Sequence, residues 1–181
     1  MADKTRVYID ACPLIDLVKF KVGMELADSV RKDVWYAQKM VEAAMAGDIE
    51  LLTSTLTIAE CTHVKDKAKF EAAKPFFMGL LSSGKAGVLL IQATQGIAER
   101  ARDLRWLDSV NLKGADAIHV ASAIHLKCDE LLTGDTRILR SASVLAEVRI
   151  RVCKPADTQK LPGKYFQESF DLPAPPSDAI N

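Results

Sequence analysis

The sequence predicts an α/β fold built on a central parallel sheet. Short strand-like segments alternate with helical ones, and several of the strands are apolar throughout. A strand that is apolar on both faces needs cover on both, as in parallel sheets wrapped by helices. Acidic residues also stand just past the strand ends. In such sheets ligands bind beyond the carboxyl edge of the strands.

Arg6-Val7-Tyr8-Ile9 is the first strand and ends at Asp10. Residues 14–20 follow with helical spacing. Residues 24–46 form a longer amphipathic stretch, with Leu26, Val30, Val34, Met40 and Val41 near one face. Gly47 stops it. Residues 49–53 read as the second strand, and 57–62 open a helix. Residues 66–81 continue helical, with Pro75 as a boundary or kink. Gly84 and Gly87 bracket a turn into a buried strand over 88–91. Helices are expected over 94–107 and from about 114 to 126. A strand over 130–133 ends in Gly134-Asp135, and the last strand covers 148–153.

A chain of 181 residues suits one domain. With 49% hydrophobic and 27% charged residues it has globular composition, which excludes wholesale disorder. Lys plus Arg and Asp plus Glu both number 24, so the net charge is zero. That excludes a histone-like, purely electrostatic nucleic-acid binder. Cys12, Cys61, Cys128 and Cys153 form no Cys-x-x-Cys pair and are expected to be isolated reduced thiols. No secretory pattern opens the chain, and no apolar run approaches the ~20 residues of a membrane span. A soluble, cytoplasmic protein is expected. Proline concentrates after Lys154, at 155, 162, 173, 175 and 176. The reading therefore divides the chain into a body over 1–153 and a C-terminal extension over 154–181, partly disordered or an interaction arm.

The acids carry the chemistry. Asp10 follows the first strand, and Glu60 lies in the helical turns after the second. Asp116 opens a helix just after Gly114, and Asp135 follows the strand over 130–133. A parallel sheet puts all four on one rim. Clustered carboxylates resist ionisation beside one another, and a divalent cation removes that conflict. Mg²⁺ prefers hard oxygen ligands, binds phosphate oxygens and acidifies bound water. The pattern points to metal-dependent phosphoryl transfer or hydrolysis.

Four segments extend the reading: Val7-Tyr8-Ile9-Asp10, Thr57-Ile58-Ala59-Glu60, the stretch Gly114-Ala115-Asp116-Ala117-Ile118-His119-Val120-Ala121-Ser122-Ala123, and Leu132-Thr133-Gly134-Asp135. Together they resemble PIN-domain ribonucleases, and most closely the VapC-type toxins of toxin–antitoxin pairs. The resemblance covers roughly residues 6–153 and implies a three-layer α/β/α PIN-like fold. It implies Mg²⁺- or Mn²⁺-dependent cleavage of RNA leaving a 5′-phosphate, and an antitoxin protein as partner. By it, Asp10, Glu60, Asp116 and Asp135 are the catalytic, metal-binding acids, and Thr133 the hydroxyl residue beside the fourth. Two positions depart from the pattern. Cys12 stands where many members carry a small hydroxyl residue or Asn, and Arg137 lies where a further acid often follows.

Thr133, Arg137 and Lys65 are the expected substrate-binding residues, the two cations as part of a basic rim for the RNA backbone. His119 shares a helix face with Asp116 but is read as a packing histidine, and His63 and His125 as non-catalytic. Trp35, Tyr36 and Trp106 are assigned to core or dimer interface. The amphipathic 24–46 helix is the expected route to a homodimer. The alternative function is a non-catalytic PIN-like module that binds RNA or protein. Other α/β phosphate chemistries lack their marks. A dehalogenase-type phosphatase needs a second Asp where Cys12 stands, a response receiver needs paired acids after the first strand, and neither Gly-x-x-x-x-Gly-Lys-Ser/Thr nor Gly-x-Gly-x-x-Gly occurs. With the four acids set aside, 20 acids face 24 bases, so the remaining surface is net basic.

Overall fold

The computed structural model describes residues 4–61, 67–82, 87–112 and 114–167. Among them, five strands form one parallel sheet in the order β3-β2-β1-β4-β5: β1 (Arg6–Ile9), β2 (Glu50–Ser54), β3 (Val88–Ile91), β4 (Glu130–Leu132) and β5 (Arg151–Cys153). Val7 pairs with Leu51 on one side and Glu130 on the other. The chain therefore builds outward from β1 to β3, then returns to the other side of β1. This reversal between β1 and β4 is where a parallel sheet opens a crevice at its carboxyl edge.

Side-chain alternation sorts the sheet into two cores. Val7, Ile9, Leu51, Leu132 and Cys153 face one apolar cluster. Tyr8, Leu52, Leu131 and Val152 face the other. The first is covered by α1 (Ala11–Lys21), α2 (Asp28–Met45) and α4 (Lys67–Leu80). The second is covered by α5 (Gln95–Trp106), α6 (Gly114–His125) and the short α7 (Thr136–Arg140) and α8 (Ala142–Glu147). A five-residue helix, α3 (Leu56–Glu60), follows β2 directly. The result is the three-layer α/β/α arrangement expected from the sequence.

Some boundaries differ from expectation for local reasons. Helix α2 begins at Asp28, because Ala27 holds an extended ψ of 142°. Its apolar face, expected to serve self-association, is spent inside the chain: Val34, Trp35, Met40 and Val41 are buried in the first core. Pro75 sits within α4 without ending it. Pro75 and Glu71, whose carbonyl loses its bond, are both on the exposed side of the helix, which limits the cost. Helices α7 and α8 occupy a stretch where no element was expected, each anchored by one buried residue, Ile138 and Leu145. The last strand is shorter than read, since Arg149 turns the chain at φ 66° before it. Gly87, at φ 74°, lets β3 start against the end of α2; a Cβ there would stand 2.6 Å from the Met45 amide.

Residues 154–167, set apart from the body in the sequence reading, pack onto it through two short 3₁₀ turns (Pro155–Asp157 and Gly163–Gln167). Leu161 and Tyr165 join the first core. The Tyr165 hydroxyl donates to Asp48 at 2.7 Å. Glu130, fully buried at the start of β4, accepts from Thr158 Oγ1 at 2.5 Å, from the Gln159 amide at 3.1 Å, and from Arg151. A buried carboxylate without such partners would be costly, so this segment completes the sheet rather than trailing from it. Residues 168–181 of the expected arm lie outside the described residues. None of the described helices is long and apolar enough to cross a membrane.

Candidate metal centre at the carboxyl edge

Asp10 leaves β1 and caps α1, accepting from the Ala11 amide at 2.8 Å. Its other oxygen accepts from the Thr133 hydroxyl at 2.7 Å. Burial is the chief influence on this carboxyl and pushes its pKa up, while His119 and Thr133 pull the other way. Each oxygen keeps one lone pair uncommitted, so Asp10 can still bind a cation.

Thr133 was expected to meet substrate. It has no exposed surface, and besides its bond to Asp10 it accepts from the Asp135 amide at 2.9 Å. It stands behind the acids and ties the ends of β1 and β4 together. Asp135 caps α7 through the Arg137 amide at 2.7 Å. Arg137 then folds back: its guanidinium donates to Asp135 at 2.6 Å and reaches Asp116 at 3.3 Å. Hydrogen bonding to Arg137 holds the Asp135 carboxyl below its usual range. Asp116 goes up instead, because burial outweighs Arg137. The residue read as part of a basic rim thus lies over two of the acids.

Glu60 is linked to the group through His119. The histidine is 1% exposed on α6, with Nε2 at 2.8 Å from Glu60 and 3.7 Å from Asp10. Its Nδ1 lies 2.8 Å from the Tyr8 hydroxyl. Burial opposes its charge, but the Glu60 bond and the charges of Asp10, Glu60 and Asp116 outweigh this and raise its pKa. The packing role read for His119 is therefore joined by a polar one. The three-residue spacing from Asp116 was the available signal; nothing in the sequence pointed to Tyr8. Asp10, Glu60 and His119 each offer an atom within 4.8 Å of the others. Hydrogen bonds link Glu60 to His119, and a second run goes from Asp10 through Thr133, Asp135 and Arg137 to Asp116; the two runs meet where His119 Nε2 stands 3.7 Å from Asp10. Lys65 and His63 lie outside the described residues.

The donor set suits a hard cation. The oxygens are carboxylate, and the nearby thiols are poor ligands: burial pushes Cys12 and Cys61 up to about 12, so both remain protonated. Two clefts meet at Leu112. One, of about 420 Å³, is lined by Asp116, Arg137 and Arg140. The other, of about 580 Å³, is lined by Arg102, Arg105 and Trp106. Trp106, assigned to core or interface, is 72% exposed, with Arg102 stacked 4.9 Å over its ring. Trp35 is buried as expected.

A family model described as PIN domain matches residues 7–144. The chain belongs to the PIN domain family. No curated protein and no solved structure matches it. The match runs from β1 into α8 and so takes in Asp10, Glu60, Asp116, His119 and Asp135. PIN domains are generally nucleases, which act as hydrolases, and usually employ divalent metal ions. This PIN domain carries an acidic cluster at the place where its sheet opens.

Proposed function

We propose that this PIN domain is a metal-dependent endoribonuclease that hydrolyses RNA phosphodiester bonds with Mg²⁺ or Mn²⁺. One observation carries the reading: Asp10, Glu60, Asp116 and Asp135, drawn from four separate elements, stand together at the carboxyl edge, linked by hydrogen bonds and by the 3.7 Å approach of His119 to Asp10. Such a concentration of negative charge is costly unless a cation is shared. Asp10 and Glu60 are the favoured ligands, with Asp116 and Asp135 completing the site. The bound ion would polarise the phosphate and acidify the attacking water. The protein's own part is to hold the oxygens still: Ala11 and Thr133 fix Asp10 and His119 fixes Glu60, while Arg137 neutralises Asp116 and Asp135 when no cation is bound. Arg137 and Arg140 border the cleft at Asp116 and would hold the anionic backbone.

The toxin role in a toxin–antitoxin pair belongs to the same proposal, with an antitoxin protein as partner. The support is the Ala115–Ala123 stretch, the most specific piece of the resemblance, and the likeness of the whole pattern to VapC-type toxins. A homodimer, through a surface other than the buried apolar face of α2, and a cytoplasmic location complete the proposal.

Incubation of the protein with RNA and Mg²⁺ or Mn²⁺ should give products bearing 5′-phosphates. Asp10→Asn and Asp116→Asn should each lose at least a hundredfold in rate, as expected when a metal ligand is removed. If the wild type cuts no RNA, or both variants cut equally well, the proposal fails. RNA binding without metal binding would instead favour the non-catalytic module.

A further inference from the structure

We propose that His119 is a positioning residue for Glu60 rather than a metal ligand, although its ring nitrogen lies within ligand distance of both Asp10 and Glu60. The inference rests on the metal-centre reading and assigns a role inside it.

The argument is one of donors and acceptors. An ionised carboxylate only accepts hydrogen bonds. Nε2 lies 2.8 Å from a Glu60 oxygen, so Nε2 must carry a hydrogen. Two states of the ring satisfy this. In the neutral ring the hydrogen sits on Nε2, and Nδ1 accepts from the Tyr8 hydroxyl at 2.8 Å. In the charged ring both nitrogens carry hydrogens. Neither state leaves a lone pair on Nε2 for a cation. The remaining tautomer would set a lone pair against the Glu60 carboxylate at 2.8 Å, which is repulsive.

Tyr8 fits either state. It is fully buried, and its hydroxyl can donate to a bare Nδ1 or accept from a protonated one. Ring and phenol come from α6 and β1, two well-packed elements. Glu60 does not share that rigidity. It ends the five-residue α3, which has no side-chain cap. The hydrogen bond from His119 therefore ties a short helix to a long one and fixes where the Glu60 carboxylate points. The usual order of a metal site, in which a histidine binds and a carboxylate steadies it, is reversed.

The test uses the full chain loaded with Mn²⁺ and pulsed electron paramagnetic resonance, which detects a directly bound nitrogen. No directly coordinated ¹⁴N coupling is expected. A strong nitrogen coupling that disappears in His119→Gln would overturn the assignment while leaving the metal centre intact. Failure of the wild type to bind Mn²⁺ would instead sink the metal-centre reading itself. Calorimetry supplies a second arm. His119→Ala should weaken Mn²⁺ binding roughly 10- to 100-fold, the range for residues that steady a ligand. His119→Gln, whose amide can still donate to Glu60, should recover affinity to within about threefold of the wild type. In a Glu60→Gln background His119→Ala should cost less than about twofold more. Additive losses in the double variant would overturn the proposal. Should His119→Ala fail to fold, the wild-type spectrum and His119→Gln still decide it.

Discussion

Thr133 Oγ1 donates to Asp10 Oδ2 across 2.7 Å, joining residues from strands whose pairing is separated by more than a hundred positions. The hydroxyl is wholly buried and also receives the Asp135 amide. Thr133→Val keeps the shape and removes both bonds. Leaving buried groups unpaired costs about 1–3 kcal/mol, so urea unfolding should shift to lower denaturant by that amount. Because the Thr133 bond pulls the Asp10 pKa down, its loss should also move metal binding to higher pH. An unchanged calorimetric pH profile would count against this linkage.

Asp10 itself should reduce the stability of the metal-free chain. Burial raises its pKa, so near neutral pH the folded state holds a charge it would rather protonate. Between the unfolded and folded pKa values the native state binds the extra proton, and stability falls as pH rises through that window. Asp10→Asn removes the charge. In EDTA at neutral pH it should raise Tm by a few degrees, corresponding to about 1 kcal/mol, with the advantage shrinking as pH falls. Calorimetric scans at several pH values decide this; a variant less stable than wild type at neutral pH would refute it.

Arg137 lies over Asp135 and Asp116 as a built-in counter-ion. Removing a unit charge a few ångströms from a cation site is worth about 1 kcal/mol in a well-solvated setting. Arg137→Ala should tighten Mn²⁺ binding roughly fivefold by titration. The same change should weaken binding of single-stranded RNA and reduce its salt slope by about 0.7. Weaker Mn²⁺ binding would show that Arg137 supports the site rather than competing for it.

Glu130 separates structural from functional acidity. It is as buried as any residue in the chain, yet it faces Arg151, Thr158 and the Gln159 amide rather than the acid group. Glu130→Ala leaves a cavity and strips partners from the part-exposed Arg151, the buried Thr158 hydroxyl and the Gln159 amide. A loss of about 3 kcal/mol and a Tm drop on the order of 10 °C should follow. Mn²⁺ affinity at temperatures where the variant remains folded should stay within about twofold of wild type. A larger change would tie Glu130 to the site.

The cysteines give a simple chemical check. Burial pushes Cys61, Cys128 and Cys153 up to about 12, and all three are buried. At pH 8 the thiolate fraction is then about one in ten thousand. Ellman's reagent should label these thiols only after denaturation. Rapid labelling of three or more thiols in the native chain would contradict the packing.

The sheet was legible in the sequence where strands are apolar on both faces: Val88–Ile91 has the same limits in the reading and the structure. The edge carrying the acids was legible too, because Asp10 and Asp135 lie just past strands, Asp116 at a helix start, and Glu60 in the short helical turns after β2. What was not legible depends on how distant elements meet. The Glu60–His119 contact joins positions 59 apart and exists only because α3 rests beside α6. Arg137 looked like surface charge, since local sequence does not say that its side chain folds back on Asp135. Residues 154–167 read as part of a partly disordered extension or interaction arm because they are polar and proline-rich; their hold on the body comes partly from Glu130, whose need for donors appears only once β4 is enclosed between β1 and β5. Helices α7 and α8 are too short for a periodic signal.

The strand order also sets a timetable. Strand β1 is the first made, yet one of its two neighbours, β4, leaves the ribosome more than a hundred residues later. Glu130 on β4 stays without its donors until Thr158 and Gln159 emerge. Pairings so distant in sequence are slow to form. A growing chain therefore holds Asp10 and Glu60 apart from Asp116 and Asp135 until the second half of the fold has been made, so the proposed metal centre comes together only after β4 and the segment that satisfies Glu130 have emerged.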